Sequence, residues 1–79
     1  MVNKIDRDIH ETFIKNIRFL LTKRGLSQNA FAKEIEKNVS HINGLLNGHG
    51  NPTLDFVINC SKYFNISIDD LLFKNIEEW

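Results

Sequence analysis

The chain of 79 residues holds one cysteine, no long hydrophobic run, no net charge, and no stretch in which apolar and polar residues alternate for long. Each absence removes a class of protein. The lone Cys60 cannot close an internal disulfide. It has no second cysteine with which to form a zinc set, and His10, His41 and His49 do not stand at i, i+4 from one another. No segment approaches the roughly 18 apolar residues of a membrane span or the charged-then-apolar pattern of a signal peptide, so a soluble, cytoplasmic protein is expected. The adjacent acids Asp69-Asp70 and Glu77-Glu78 point apart on a helix, and no Ser-His-Asp or phosphate-loop pattern occurs. The chain is also too short for most enzymes, so no enzymatic activity, cofactor, metal or small-molecule ligand is expected. Without alternation, a sheet has no support.

What is present is a set of apolar positions recurring at three and four, the mark of an all-helical domain, here a single one spanning residues 1–79. Ile9, Phe13, Ile14, Ile17, Leu20 and Leu21 form the stripe of a first helix, with Asp8 and Glu11 spaced as a capping box at its start and Gly25 as its left-handed stop. Ser27 caps a second helix of about two turns that carries Ala30, Phe31, Ala32 and Ile35. Asn38 caps a third, with Val39, Ile42, Leu45 and Leu46 on its apolar face and Gly48 just past its end. The turn formers Asn47-Gly48-His49-Gly50-Asn51-Pro52 reverse the chain before Thr53 caps a fourth helix, expected to bury Leu54, Val57, Ile58, Cys60 or Ser61, and Phe64. Asn65 ends it, and Ser67 with Asp70 starts a last short helix through Leu71 and Leu72. The tail from Lys74 to Trp79 shows no clear cap.

Zero net charge alone argues against a polyanionic partner, but the charge is unevenly distributed. Residues 12–52 hold six basic and two acidic residues, a net +4, and the remainder holds four basic and eight acidic. A basic front half facing an acidic remainder suits a domain that meets a polyanion on one side; chance produces similar asymmetry in small domains.

Two short helices joined by a tight turn inside a helical domain have the geometry of a helix-turn-helix, here residues 27–47. Ala32 fits the place where the two helices cross, because a side chain larger than methyl would push them apart. The segment Gly25-Leu26-Ser27-Gln28, then Phe31-Ala32, Ile42, Leu45, Gly48, Asn51-Pro52 and Leu54, continued by Phe64-Asn65-Ile66-Ser67 and Leu71-Leu72, resembles the Cro/repressor-type (XRE-like) helix-turn-helix family. The resemblance runs without a gap from about Ile17 to Phe73. It implies a compact five-helix, lambda-repressor-like domain that binds double-stranded DNA. Two positions in the turn depart from the family: Glu36 stands where a Gly is usual, and Lys37 where an apolar residue is usual. Sliding the register by two to bring Val39 to the apolar position would put Gly44 where Ile42 is needed.

On this resemblance the third helix, about 38–47, enters the major groove, and Lys37, Asn38, Val39, Ser40, Asn43 and Gly44 are the candidates for base contact. Asn43 can pair bidentately with adenine, Ser40 can bond several bases, and Val39 can pack on a thymine methyl or belong to the core. With no Arg placed to read guanine, a recognition sequence weighted toward A and T is expected, read partly through DNA shape. Lys37 can meet a base or a phosphate. By residue-by-residue match Gln28, Asn47 and Thr53 would hold backbone phosphates; Lys33 and His49 are further candidates without family support. The plainer alternatives are that Gln28 is a solvated first-turn residue, Asn47 a turn former and Thr53 only a cap. His41 is near enough to the groove to touch DNA or simply to face solvent.

Family members usually bind palindromic operators as two-fold dimers, and a domain that buries so little gains much from a second copy. Ile66, Ile68, Phe73, Ile76 and Trp79 are the candidate interface. In the alternative, Ile66, Ile68 and Phe73 close the core and only Ile76 and Trp79 remain available. The expected function is a sequence-specific transcriptional regulator. The alternatives are an antitoxin or restriction-modification controller, or a helix-turn-helix turned to protein contacts.

Overall fold

The computed structural model describes residues 4–79, with side-chain surroundings from Asp8 onward. Among the described residues five helices follow one another with no strand: α1 (Lys4–Arg24), α2 (Gln28–Glu34), α3 (Val39–Leu46), α4 (Leu54–Phe64) and α5 (Ile68–Phe73), closed by a 3₁₀ turn at Ile76–Glu78. The fold is the five-helix, all-α one that the apolar spacing implies.

Local chemistry sets most boundaries. Four helices open on a side-chain oxygen that accepts a bond from the amide three residues on: Ser27 from Ala30, Asn38 from His41, Thr53 from Phe56 and Ser67 from Asp70, at 2.9–3.1 Å. Each satisfies one of the amides that a helix start leaves without a partner. The first four helices close alike, on a left-handed residue at Gly25, Glu36, Gly48 and Asn65. After each, the next amide reaches back five residues to a carbonyl: Leu26 to Leu21, Lys37 to Ala32, His49 to Gly44, and Ile66 to Ser61. This is the Schellman closure, which satisfies carbonyls that would otherwise be orphaned.

Glu36 is the strained member of that set. Its φ of +58° is a conformation that L side chains adopt at a cost of roughly 1–2 kcal/mol. The turn therefore keeps the geometry that a Gly would give it and absorbs the strain. Glu36→Gly is expected to raise stability by about 0.5–1 kcal/mol, the relief of strain minus the added freedom of the unfolded chain. Thermal unfolding would register this as a midpoint a few degrees higher; a lower midpoint would mean that the glutamate side chain stabilises the turn.

The core is built from the stripe of α1, the crossing of α2 and α3, and the inner face of α4. Phe31 is its hub, stacked on Phe64 (centroids 5.5 Å apart) with the rings of Tyr63 at 5.4 Å and Phe56 at 6.4 Å around it. Phe13 meets Phe56 edge-on at 5.8 Å. Ala32 is fully buried at the α2–α3 crossing, as its size requires. Cys60 is fully buried, and burial pushes its thiol up to about 12, so it remains a neutral core residue.

Three expectations are corrected. Asp8 and Glu11 do not start α1, which already runs from Lys4. Ile5, Asp6 and Arg7 offer neither Gly nor Pro to stop the helix, and extending it gains one hydrogen bond per residue. Leu54 does not join the core; it is 71% exposed, and Phe56 is buried in its place. Phe56, Val57, Cys60 and Phe64 share one side of α4, and Leu54 lies about 100° around the axis from the middle of that side. Ile76 is withdrawn from the proposed dimer surface because it is 3% exposed and part of the core, and Ile66 and Ile68 are half-buried against that core, whereas Phe73 and Trp79 are each 64% exposed.

The reason for the burial of Ile76 is Asn16, a fully buried polar residue on α1. Its Nδ2 donates to the carbonyls of Leu71 (2.9 Å) and Lys74 (2.7 Å), and its Oδ1 accepts from the amide of Ile76 (3.2 Å). One carboxamide thus ends α5 and folds the tail onto α1.

Candidate nucleic-acid interface

Two side-chain contacts hold the α2–turn–α3 unit in place. The α3 start is tied to α4 by Lys37, whose Nζ lies 2.6 Å from Asp55 Oδ2 in the first turn of α4. The body of α3 is tied to α2 by Asn43, whose Nδ2 donates to Asn29 Oδ1 at 3.1 Å. Caps satisfy one amide at each start and leave others in the first turn as donors at the positive end of the helix dipole.

The outward face of α3 follows from its inward one. Ile42, Leu45 and Leu46 are buried. Ser40, Gly44 and the C-capping Asn47 stand on the opposite side at i, i+4 and i+7. His41 is exposed on the flank, while Val39 is half-buried and packs against the core. Asn38 uses its Oδ1 as the cap of α3 and keeps its amide nitrogen for other partners. Asn43 is half-buried and turned to α2; its donor is engaged by Asn29 and its Oδ1 is covered without a partner. A bidentate pair with adenine would require that carboxamide to leave Asn29 and change rotamer.

Gly44 carries the most information. A mid-helix Gly costs roughly 0.5–1 kcal/mol relative to Ala, yet a Cβ added here would meet nothing within 4 Å. Packing within the protein does not require the glycine. Its effect is a gap between Ser40 and Asn47 on the exposed face, through which another molecule can approach the helix backbone closely.

The phosphate candidates are more dispersed. Gln28 is half-buried at the first position of α2, Thr53 caps α4, and Asn47 and His49 are exposed at the end of α3 and in the following loop. Lys33 is exposed but lies five residues after Gln28, about 140° around α2, so the two do not share a face. Asn29 and Asp55 were not singled out from the sequence. Both act through contacts 14 and 18 residues away, and no local pattern marks them.

A family model described as helix-turn-helix, of the Cro/repressor (XRE) type, matches residues 17–71. The chain belongs to the helix-turn-helix family. It is accordingly a DNA-binding helix-turn-helix protein, with α2 and α3 as the two helices of the motif and Glu36 and Lys37 in the turn between them. No curated protein and no solved structure matches the chain. The match omits the first part of α1 and everything after Leu71. In this helix-turn-helix protein those two flanks hold each other: Asn16 bonds Lys74 and Ile76, and Lys15 Nζ lies 3.8 Å from Glu77. Among the described residues no helix is long and apolar enough to cross a membrane, and no group of three or more His, Cys, Asp or Glu comes together to hold a metal.

Proposed function

We propose that this protein is a sequence-specific transcriptional regulator that lays α3 in the major groove of duplex DNA and occupies a two-fold operator as a homodimer. The observation that carries the reading is Gly44, a half-buried glycine that the fold does not need, between the exposed Ser40 and Asn47 on the outward side of the motif's second helix. A groove floor approaching the backbone there explains why the helix tolerates the cost.

Ser40 and the free amide nitrogen of Asn38 are the base readers of this account, with Val39 contributing a methyl contact at the edge of the core. Asn43 acts first as the strut between α2 and α3. The face offers no Arg or Lys beyond Lys37, which favours a site rich in A and T whose shape supplies part of the specificity. Gln28, Asn47 and Thr53 fix the register through phosphates, with His49 and Lys33 at the margins. Phe73 and Trp79 supply the apolar surface for the second copy, with the half-buried Ile66 and Ile68, which pack against the core, contributing at most their outer edges. Autoregulation as an antitoxin or controller is compatible with the same chemistry. A protein-contact role is favoured by the acids Glu36 and Asp55 near the motif, and DNA titration separates it from the main reading.

Gly44→Ala tests the proposal because stability and binding should move in opposite directions. The variant is expected to unfold at a temperature a few degrees higher, following its helix propensity gain of about 0.5–1 kcal/mol, while duplex binding weakens. Gln28→Ala should weaken binding to every sequence alike. Fluorescence anisotropy over a salt series reads both variants. Unchanged duplex affinity in both would remove α3 and the start of α2 from the DNA interface.

A further inference from the structure

We propose that Asp55 limits the DNA affinity of this protein by holding the Lys37 ammonium in an internal pair, away from the phosphate backbone; the inference rests on the DNA-binding reading above. Lys37 stands one residue before the cap of α3, at the mouth of the proposed groove contact. Its Nζ is 2.6 Å from Asp55 Oδ2, and the same oxygen takes Asn59 Nδ2 at 3.4 Å, so the carboxylate is anchored from its own helix while it holds the lysine.

Two electrostatic effects act in the same direction. The pair removes the only cation in the turn and in α3 from the charge that DNA would meet. Asp55 also sits in the first turn of α4, where the helix start would otherwise present a positive end to a phosphate. A carboxylate is at ease there for the same reason, and it cancels the field that would draw DNA. Both side chains remain accessible to solvent, the lysine 35% and the aspartate 68%, and exposed pairs contribute little to folding. The pair is therefore a restraint on binding that the fold can lose.

Asp55→Asn keeps the size and the hydrogen-bonding reach of the side chain and removes its charge. Binding to a short mixed-sequence duplex is expected to tighten about eightfold at ~0.1 M salt, with log K against log salt steeper by about 0.9, the signature of one more phosphate neutralised. In a Lys37→Met background the same substitution should tighten binding less than about threefold, because the released cation is gone. Thermal unfolding of Asp55→Asn should stay within a few degrees of the unaltered protein, which separates a binding effect from a folding one.

Unchanged or weaker binding by Asp55→Asn overturns the proposal. So does an equal gain in the Lys37→Met background, which would make Asp55 a general repulsive charge rather than the holder of Lys37. Binding by the unaltered protein, sensitive to Gln28→Ala but not to Asp55→Asn, would reject this inference and leave the DNA reading standing. No duplex binding at any salt would reject both.

Discussion

Replacing Asn16 by leucine is expected to destabilise the protein by about 2–4 kcal/mol. The substitution nearly conserves volume and adds apolar surface, so cavity formation contributes little. What it removes is a side-chain partner that, among the described residues, two carbonyls and one amide share. The bonds to Leu71 and Ile76 are buried, and the bond to Lys74 is partly so. Water cannot replace those partners without opening the tail, and each orphaned buried group costs roughly 1–3 kcal/mol. A chain of 79 residues has a total stability of about 4–12 kcal/mol, so the loss is a large share of it. Urea unfolding should show a clearly lower midpoint with the same slope, and hydrogen exchange should find the Ile76 amide unprotected before the amides of α2 and α3 open. A cost below about 1 kcal/mol would mean that the tail detaches freely and that Asn16 does not organise it.

Truncating Phe31 to alanine should be the more damaging change, with a cost of about 3–5 kcal/mol. Phe31 is fully buried and is the only ring in contact with Phe56, Tyr63 and Phe64 together. It also sits on α2 beside Ala32, so the void would open where the two helices of the motif meet the inner face of α4. Near-ultraviolet circular dichroism should lose its aromatic signal at 37 °C, with DNA binding lost at the same time. A variant that keeps its tertiary signal and unfolds only slightly earlier would show that Phe56, Tyr63 and Phe64 close over the gap, and that the core does not depend on Phe31.

The helix boundaries were readable from sequence because they are made within a few residues. Ser27, Asn38, Thr53 and Ser67 bond amides three residues away, and Gly25, Gly48 and Asn65 supply positive φ to bonds that span five. The family spacing added the inward positions Phe31, Ala32, Ile42 and Leu45, all of which are buried. The α4 period set by Val57, Cys60 and Phe64 puts Phe56 inward and leaves Leu54 to the side, so that position is legible from the helix itself. Features that depend on distant chain are not readable. Ile76 reads as available because nothing near it in sequence indicates Asn16, 60 residues earlier, holding its amide. The start of α1 differs for another reason: Asp8 and Glu11 have capping-box spacing, but such spacing begins a helix only where the preceding residues decline to extend it.

The candidate site divides along the same line. The outward row Ser40, Gly44 and Asn47 follows from the helical period once Ile42 and Leu45 are assigned inward. The engagement of Asn43 by Asn29 and of Lys37 by Asp55 does not, since each depends on how α3 meets a neighbouring helix. These two contacts change the reading of the site most. One turns the strongest base reader of the sequence analysis into a strut, and the other partly neutralises its nearest cation.

The most direct test of the account is selection of the purified, folded protein against random duplex DNA at about 0.1–0.15 M salt, followed by sequencing of the retained molecules. The account predicts an enriched, two-fold symmetric sequence rich in A and T, with half-site centres about one helical turn apart. Retention without sequence enrichment, or no retention by protein whose fold is verified in the same buffer, would contradict it and assign the exposed face of α3 to a protein partner.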